Sequence, residues 1–570
     1  MIADGARERT TPGSASIPSS APLFTRAAVR AAMVVFAVAT AVYLPKTVNR
    51  FTFDDRIFIL LDANVRDVHA ALGEFGRDQA RLYRPLRSVA LASLTSAFGR
   101  QRPLPFHVAG ILLHAACAAL LTLIVWLLVA DPPAALFAGL IFALHPVHAD
   151  RVANITGSFD LLGLALGWGA WLLALLYDRG ARAWTAGAAA LALLLGCLAS
   201  EEALMVWPLA AACFLLWPGD RRRRRRVMAL LTAVVAGYLL ARSLVLGGAA
   251  RTAAYAAGSL SNTIWTMAVV AWRYVGLLFF PVGLSAAYGP TVRTQLDPAA
   301  AAGLLGIAAL LGAAVALRRR PAISLAIVWF FLGLAPFSNL LRGDTLMAER
   351  YLYAGSGGFA LAAGLLAAGL RVRRRAATAA MAVVLAIYAV GVVSRCAAWG
   401  RPVQLWTEAA VREPNSFLAN LNAGYHSLVA GKTNNAERFA AQARRLEPQR
   451  AEPLMQLAEV AFGRHADGEA VRWLTTATET DPAYCPAFSA LAKACVQTKD
   501  YPRAARTAVA ALNCDPQESG AHYVLAYLLV AAGHCDEAAA HWSAIIRAQP
   551  EPPDYQAAIE LRAHCARSKD

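Results

Sequence analysis

Asp54 and Asp55 are adjacent carboxylates in the stretch Phe53-Asp54-Asp55-Arg56, just beyond the first apolar run of the chain. Ionisable groups beside a bilayer are costly to hold, so such a pair reads first as a functional site. Desolvation near a low-dielectric surface raises a carboxylate's proton affinity and suits it to general-base work. The plain alternative is that both face interfacial water and cap the next helix. Other polar groups stand near the ends of later apolar runs: Arg84 in Tyr83-Arg84-Pro85-Leu86-Arg87, His145, His148 and Asp150 in His145-Pro146-Val147-His148-Ala149-Asp150-Arg151, Glu201 and Glu202, Arg273, and Glu349-Arg350-Tyr351. An arginine's planar fork holds phosphate through two bonds and stays charged, which makes Arg350, then Arg84 and Arg273, the candidates for an anionic group. Arg84 and Arg350 also fit a snorkelling role at the interface, and Arg273 that of a helix-end anchor. His145, His148 and Asp150 offer two imidazoles and a carboxylate to a divalent metal, but Pro146 interrupts the helix and no further Cys or His cluster supports zinc. No metal is assigned; a divalent ion stays open but is not favoured, and no cofactor is certain.

The elements that must position these residues are membrane helices. The 570 residues are 58% hydrophobic and only 16% charged, with mean hydropathy +0.45, which excludes a single soluble globule. The net charge of +17 does not point to nucleic acid, because arginines fall in short blocks between apolar runs, as at Arg221 to Arg226 and Arg318 to Arg320. The apolar runs extend from 27–44 to 376–394. With every arginine block inside, residues 1–26 form a cytoplasmic tail and the run at 262–281, which contains Arg273 and ends at Pro281, becomes a re-entrant or interfacial segment. About eleven crossings remain, and the polar groups named above all fall on one outer face. The first outer loop, 45–105, includes an amphipathic stretch from Pro85 to Phe98 expected to lie along the membrane surface.

Beyond the helix bundle of 27–398, prolines recur at Pro414, Pro448, Pro482, Pro516 and Pro550, each 34 residues after the last. That is the tetratricopeptide period. Residues 399–570 are therefore expected to hold four repeats over about 415–550 and a capping helix at 553–567, stacked into a groove for an extended peptide or partner helix. A packed spacer is the plain alternative. In such helix pairs the start of one helix lies beside the end of the next, which places Cys485 near Cys514 and Cys535 near Cys565, where an oxidising exterior permits disulfides.

The order of FDD, YRPL, HPVHADRV with GSFDLL after it, Ser-Glu-Glu, ERYLY and C-terminal repeats resembles the transmembrane-and-TPR protein O-mannosyltransferases and their bacterial relatives, within the GT-C glycosyltransferase superfamily. The resemblance covers nearly all the chain after residue 45. It implies an all-α, polytopic GT-C-like bundle followed by a TPR solenoid. It also implies an inverting transfer of sugar from a polyprenyl-phosphate donor to an acceptor, a protein Ser or Thr or a glycan, at the outer face. Either Asp54 or Asp55 would be the base, and Arg350, Arg84 or Arg273 would meet the donor phosphate. His145, His148 and Asp150 would shape the donor pocket, Glu349 and Tyr351 the donor or acceptor pocket, and Glu201 and Glu202 would contact the acceptor. The repeats would capture the acceptor from the periplasmic side of a bacterial inner membrane. The partners expected are thus donor, acceptor and membrane lipids, with no nucleic acid. A non-catalytic scaffold for envelope proteins is the alternative, and it should tolerate loss of both aspartates. A transporter fits less well, since polar residues along a path within the membrane are sparse.

Overall fold

The computed structural model describes residues 24–52, 54–76, 82–247, 255–340, 343, 345–370, 375–547 and 554–567. Most of the expected tail, and Phe53, Arg342, Asp344, Arg371, Arg373, Arg374 and Pro550, lie outside the described residues. Within the described residues the chain is all-α, with no strand element.

Each apolar run folds as a helix: Arg26–Tyr43, Pro103–Val129, Pro132–Leu144, Ile155–Asp178, Trp184–Ala199, Val206–Leu216, Arg221–Val245, Leu260–Phe279, Pro298–Ala316, Pro321–Leu334, Leu352–Leu370 and Arg375–Trp399. Their starts follow local chemistry. Asp131 accepts from the Ala134 N–H at 3.0 Å ahead of Pro132, Asn154 from Gly157 at 3.2 Å, and Asp297 from Ala300 at 2.8 Å ahead of Pro298. Among the described residues seven helices are long and apolar enough to cross a membrane, or eight if Pro132–Leu144 and Pro146–Ala153, bent by 47°, form one span. The expected count of about eleven is not reached on length and composition, because several helices are shorter than the ~20 residues a span needs. Trp184–Ala199 has 16 residues, Pro321–Leu334 has 14 and Val206–Leu216 has 11. Leu260–Phe279, the expected re-entrant segment, is an unbroken helix of 20 residues that is not among the seven.

Ile155–Asp178 is central and packs on both Pro103–Val129 and Trp184–Ala199. The second contact depends on Gly163, where a Cβ would stand 2.6 Å from the Ser200 Cβ. That close approach sets Ser200, and with it the following Glu201, against Ile155–Asp178. Trp171 and Trp329 meet edge to face with centroids 4.8 Å apart in the buried core.

The C-terminal helices pair at the expected period: Phe417–Val429 with Thr433–Leu446, Glu452–Gly463 with Asp467–Thr480, Cys485–Gln497 with Tyr501–Cys514, and Ser519–Ala531 with Cys535–Arg547. Within the pairs, Ala436, Ala470, Ala504 and Ala538 are fully buried at the same position of successive repeats, where only a small side chain lets the helices close. A final helix, Tyr555–Arg567, caps the stack. The apolar core does not break at residue 399. Trp399, Trp406, Ala419 and Phe439 belong to the same buried cluster as Tyr43 and Trp329.

Candidate functional site

The two aspartates occupy different environments. Asp55 is fully buried at the start of the turn Arg56–Leu60. Its Oδ1 accepts from the Thr156 N–H at 2.8 Å and the Thr156 hydroxyl at 3.0 Å, and its Oδ2 from the Thr52 N–H at 3.1 Å. Burial pushes its carboxyl up to about 6, against the pull of those donors. Asp54 is half-buried, and its backbone carbonyl, not its carboxylate, opens the turn by accepting from Ile57 and Phe58. Burial pushes the Asp54 carboxyl up to about 6 as well, with the Arg350 charge pulling it down and Asp150 pushing it up. Asp55 thus has both oxygens engaged by three donors, whereas no hydrogen bond reaches the Asp54 carboxylate among the described residues.

Below this pair lies a charge network drawn from three segments. Arg84, at the start of helix Pro85–Phe98, holds both oxygens of Glu201 at 2.7 Å and Asp160 at 2.8 Å. Arg87 donates to the same Asp160 oxygen at 3.2 Å, and Arg151 lies 3.5 Å from the other and pairs with Glu202. Three guanidinium groups balance three carboxylates. Burial favours the neutral form of Glu201, yet Arg84 drives its carboxyl down to about 2. Arg84 and Glu201, expected to bind donor and acceptor, are engaged with each other.

Arg350 lies on the turn Glu349–Tyr351. Its N–H donates to Asp150 Oδ2 at 3.0 Å, and its guanidinium stands 3.6 Å from the same oxygen, over the Tyr351 ring at 5.4 Å. Asp150 is brought here by the helix break at His145, which has an extended backbone ahead of Pro146. The histidines at the break are committed elsewhere: His145 Nε2 to the Leu278 carbonyl at 3.0 Å and His148 Nε2 to the Ser356 hydroxyl at 2.8 Å. Among the described residues, no three of His, Cys, Asp and Glu gather into a metal-binding group. Glu349 faces away from Arg350, accepting from the Ser285 N–H at 2.6 Å and the Tyr288 hydroxyl at 2.9 Å. Arg273 pairs with Glu413. In the repeats, Cys485 is joined to Cys514 and Cys535 to Cys565.

No family model matches the chain. Its sequence matches human protein O-mannosyl-transferase TMTC2 at 39% identity over 79 residues, which is 14% of this chain and 9% of that one. It matches human protein O-mannosyl-transferase TMTC4 at 30% identity over 158 residues, 23% of this chain and 21% of that one. This chain is similar to protein O-mannosyl-transferases. The matched parts span well under a third of those relatives' own lengths. Among solved structures, the archaeal oligosaccharyltransferase AglB of Archaeoglobus fulgidus superposes with TM-score 0.38 and 15% identity, covering 66% of this chain and 56% of its own. MamA superposes with TM-score 0.23 and 17% identity, covering 29% of this chain and 89% of its own. At these scores neither superposition bears on the fold.

Several residues of the site were passed over in the sequence reading. Asp160, Arg87 and Arg151 complete the charge network, Thr156 seats Asp55, and the buried Lys46 donates to the Val152 carbonyl. Asp160, at the edge of an apolar run, carried the one usable signal, a charge where lipid would be expected. Among the described residues, the arrangement offers a half-buried carboxylate that accepts no hydrogen bond and an arginine ion-paired with Asp150. The first can take a proton, and the second can meet an anion.

Proposed function

We propose that this protein is a membrane glycosyltransferase that moves a sugar from a polyprenyl-phosphate donor to a protein Ser or Thr hydroxyl, with Asp54 as general base and Arg350 as the donor-phosphate ligand. The observation that carries this reading is the unequal seating of the two aspartates. A base needs a free lone pair, and Asp54 has one, held by burial near neutral proton affinity, while Asp55 spends its oxygens on Thr52 and Thr156. Asp55 then fixes the turn that presents Asp54.

In the transfer, the acceptor hydroxyl oxygen attacks the anomeric carbon and the bond from that carbon to the phosphate oxygen breaks. The hydroxyl proton passes to Asp54, and the electron pair leaves with the lipid phosphate, whose charge Arg350 meets. Attack opposite the leaving phosphate inverts the anomeric configuration. Similarity to protein O-mannosyl-transferases supports mannose as the sugar and protein as the acceptor. The paired cysteines support an oxidising compartment, so the site and the repeats are assigned to the periplasmic face of a bacterial inner membrane. The test is transfer of radiolabelled mannose from polyprenyl phosphate to acceptor protein by purified wild type, Asp54→Asn and Asp55→Asn. Transfer that survives in Asp54→Asn at the wild-type rate rules out the assignment.

A further inference from the structure

Leu284 to Tyr288 are all buried, although they lie in the loop joining Leu260–Phe279 to Pro298–Ala316. Their polar groups are met from two directions. On one side, the Ser285 N–H and the Tyr288 hydroxyl both donate to Glu349 Oε1. On the other, the Leu284 carbonyl accepts from Arg412 Nη1 at 2.7 Å and from Arg395 Nη1 at 3.3 Å, and Arg395 also stands 3.6 Å from Glu349 Oε2. Glu413, next to Arg412, is buried and accepts from the Gly289 N–H at 3.3 Å. It pairs with Arg273, whose guanidinium lies over the Tyr288 ring at 4.7 Å. The contact is backbone to backbone at Gly289, where a Cβ would fall 2.4 Å from the Ser416 N. Arg412 and Glu413 end the helix Pro402–Arg412, which shares its core with the first repeat.

We propose that Arg412 and Glu413 are positioning residues for the donor site, so that the repeat domain fixes Arg350 as well as receiving the acceptor. This rests on the reading of Arg350 as the phosphate ligand. The two residues hold the loop, the loop supplies the donors of Glu349, and Glu349 anchors the turn that carries Arg350. A buried carboxylate cannot be left without its donors at small cost, so the turn follows the loop when the loop moves. Small displacements of a positioned group lower rates steeply. Arg273 serves this latch through Glu413 and Tyr288.

The test uses the full-length protein with polyprenyl-phosphate mannose as probe, comparing wild type, Glu413→Ala, Tyr288→Phe and the double variant. The expected result is a rise in donor KM or a fall in donor hydrolysis of about tenfold in each single variant, with acceptor KM unmoved. The double variant is expected to be little worse than either single one, because both act through Glu349. Backbone amide exchange should accelerate at Ser285 and across 349–351 in each variant. Glu413→Gln, which keeps an oxygen for the Gly289 N–H, should restore most of the wild-type behaviour, and Tyr288→Phe carries the test of loss should Glu413→Ala fail to fold. Unchanged exchange at 349–351, or a change in acceptor KM alone, would overturn the proposal. Wild-type protein that turns over no lipid donor sinks the transferase reading instead, and the exchange measurement then still decides the linkage.

Discussion

At the scale of residues, under the proposed mechanism the two adjacent carboxylates divide one task between them. Asp54→Asn removes the base while leaving Asp55 and its turn in place, so the thermal midpoint should stay unchanged and transfer should fall by ~10² to 10⁴-fold. Asp55→Asn sets an amide N–H₂ against either the Thr52 N–H or the Thr156 donors, and should lower stability by ~1–3 kcal/mol, read as a drop in thermal midpoint in detergent. Because the Asp54 carboxyl titrates at about 6 and acts ionised, kcat/KM in wild type should climb with pH through about 6 and level off above it. A profile flat from pH 5 to 8 would contradict this. Arg350→Ala should raise donor KM, and Arg350→Lys should restore only part, since a point charge does not reproduce the planar fork. None of this division was legible in the sequence. The residue that saturates Asp55 is Thr156, 101 positions away, and adjacency alone made the two acids look equivalent.

At the scale of elements, helix Pro85–Phe98, the start of Ile155–Asp178 and the turn Glu201–Met205 are locked by the alternating network of Arg84, Arg87 and Arg151 with Asp160, Glu201 and Glu202. Asp160 is the shared member. Asp160→Asn leaves three guanidinium groups, those of Arg87 and Arg151 buried, facing two carboxylates, and should destabilise by ~3–5 kcal/mol, measured as the detergent unfolding midpoint. Loss of stability near that of an exposed substitution would show that the network is slack. The helices themselves could be read from apolar runs, and the helix break from Pro146. The number that cross could not, because helices as short as Val206–Leu216 satisfy their hydrogen bonds inside the protein and need not match bilayer thickness. The partners of Arg84 and Arg273 were hidden for a related reason. An arginine at a helix end looks alike whether it waits for phosphate or is already held by Glu201 or Glu413.

At the scale of the whole molecule, the repeats are continuous with the membrane helices through Trp399 and Trp406. Their 34-residue period was plain in the sequence, but their union with the site was not, since it runs through a loop of unremarkable composition at Leu284 to Gly289. Cutting the chain after residue 450 should preserve hydrolysis of lipid donor while abolishing protein glycosylation. Cutting it after residue 400 should abolish both, because Trp406, Arg412 and Glu413 are then lost. The outer repeats carry their own restraint. The disulfides Cys485–Cys514 and Cys535–Cys565 close loops of 29 and 30 residues, and reduction of either should lower repeat stability by ~3–4 kcal/mol, seen as an earlier unfolding transition with thiol present. The most direct measurement of the account as a whole is mannose transfer from polyprenyl phosphate to a Ser/Thr acceptor by purified full-length protein, wild type and Asp54→Asn side by side. Turnover by wild type and a loss of at least ~10² in a variant with an unchanged thermal midpoint is the expected result, and equal turnover in the two proteins, or none in wild type, would contradict it.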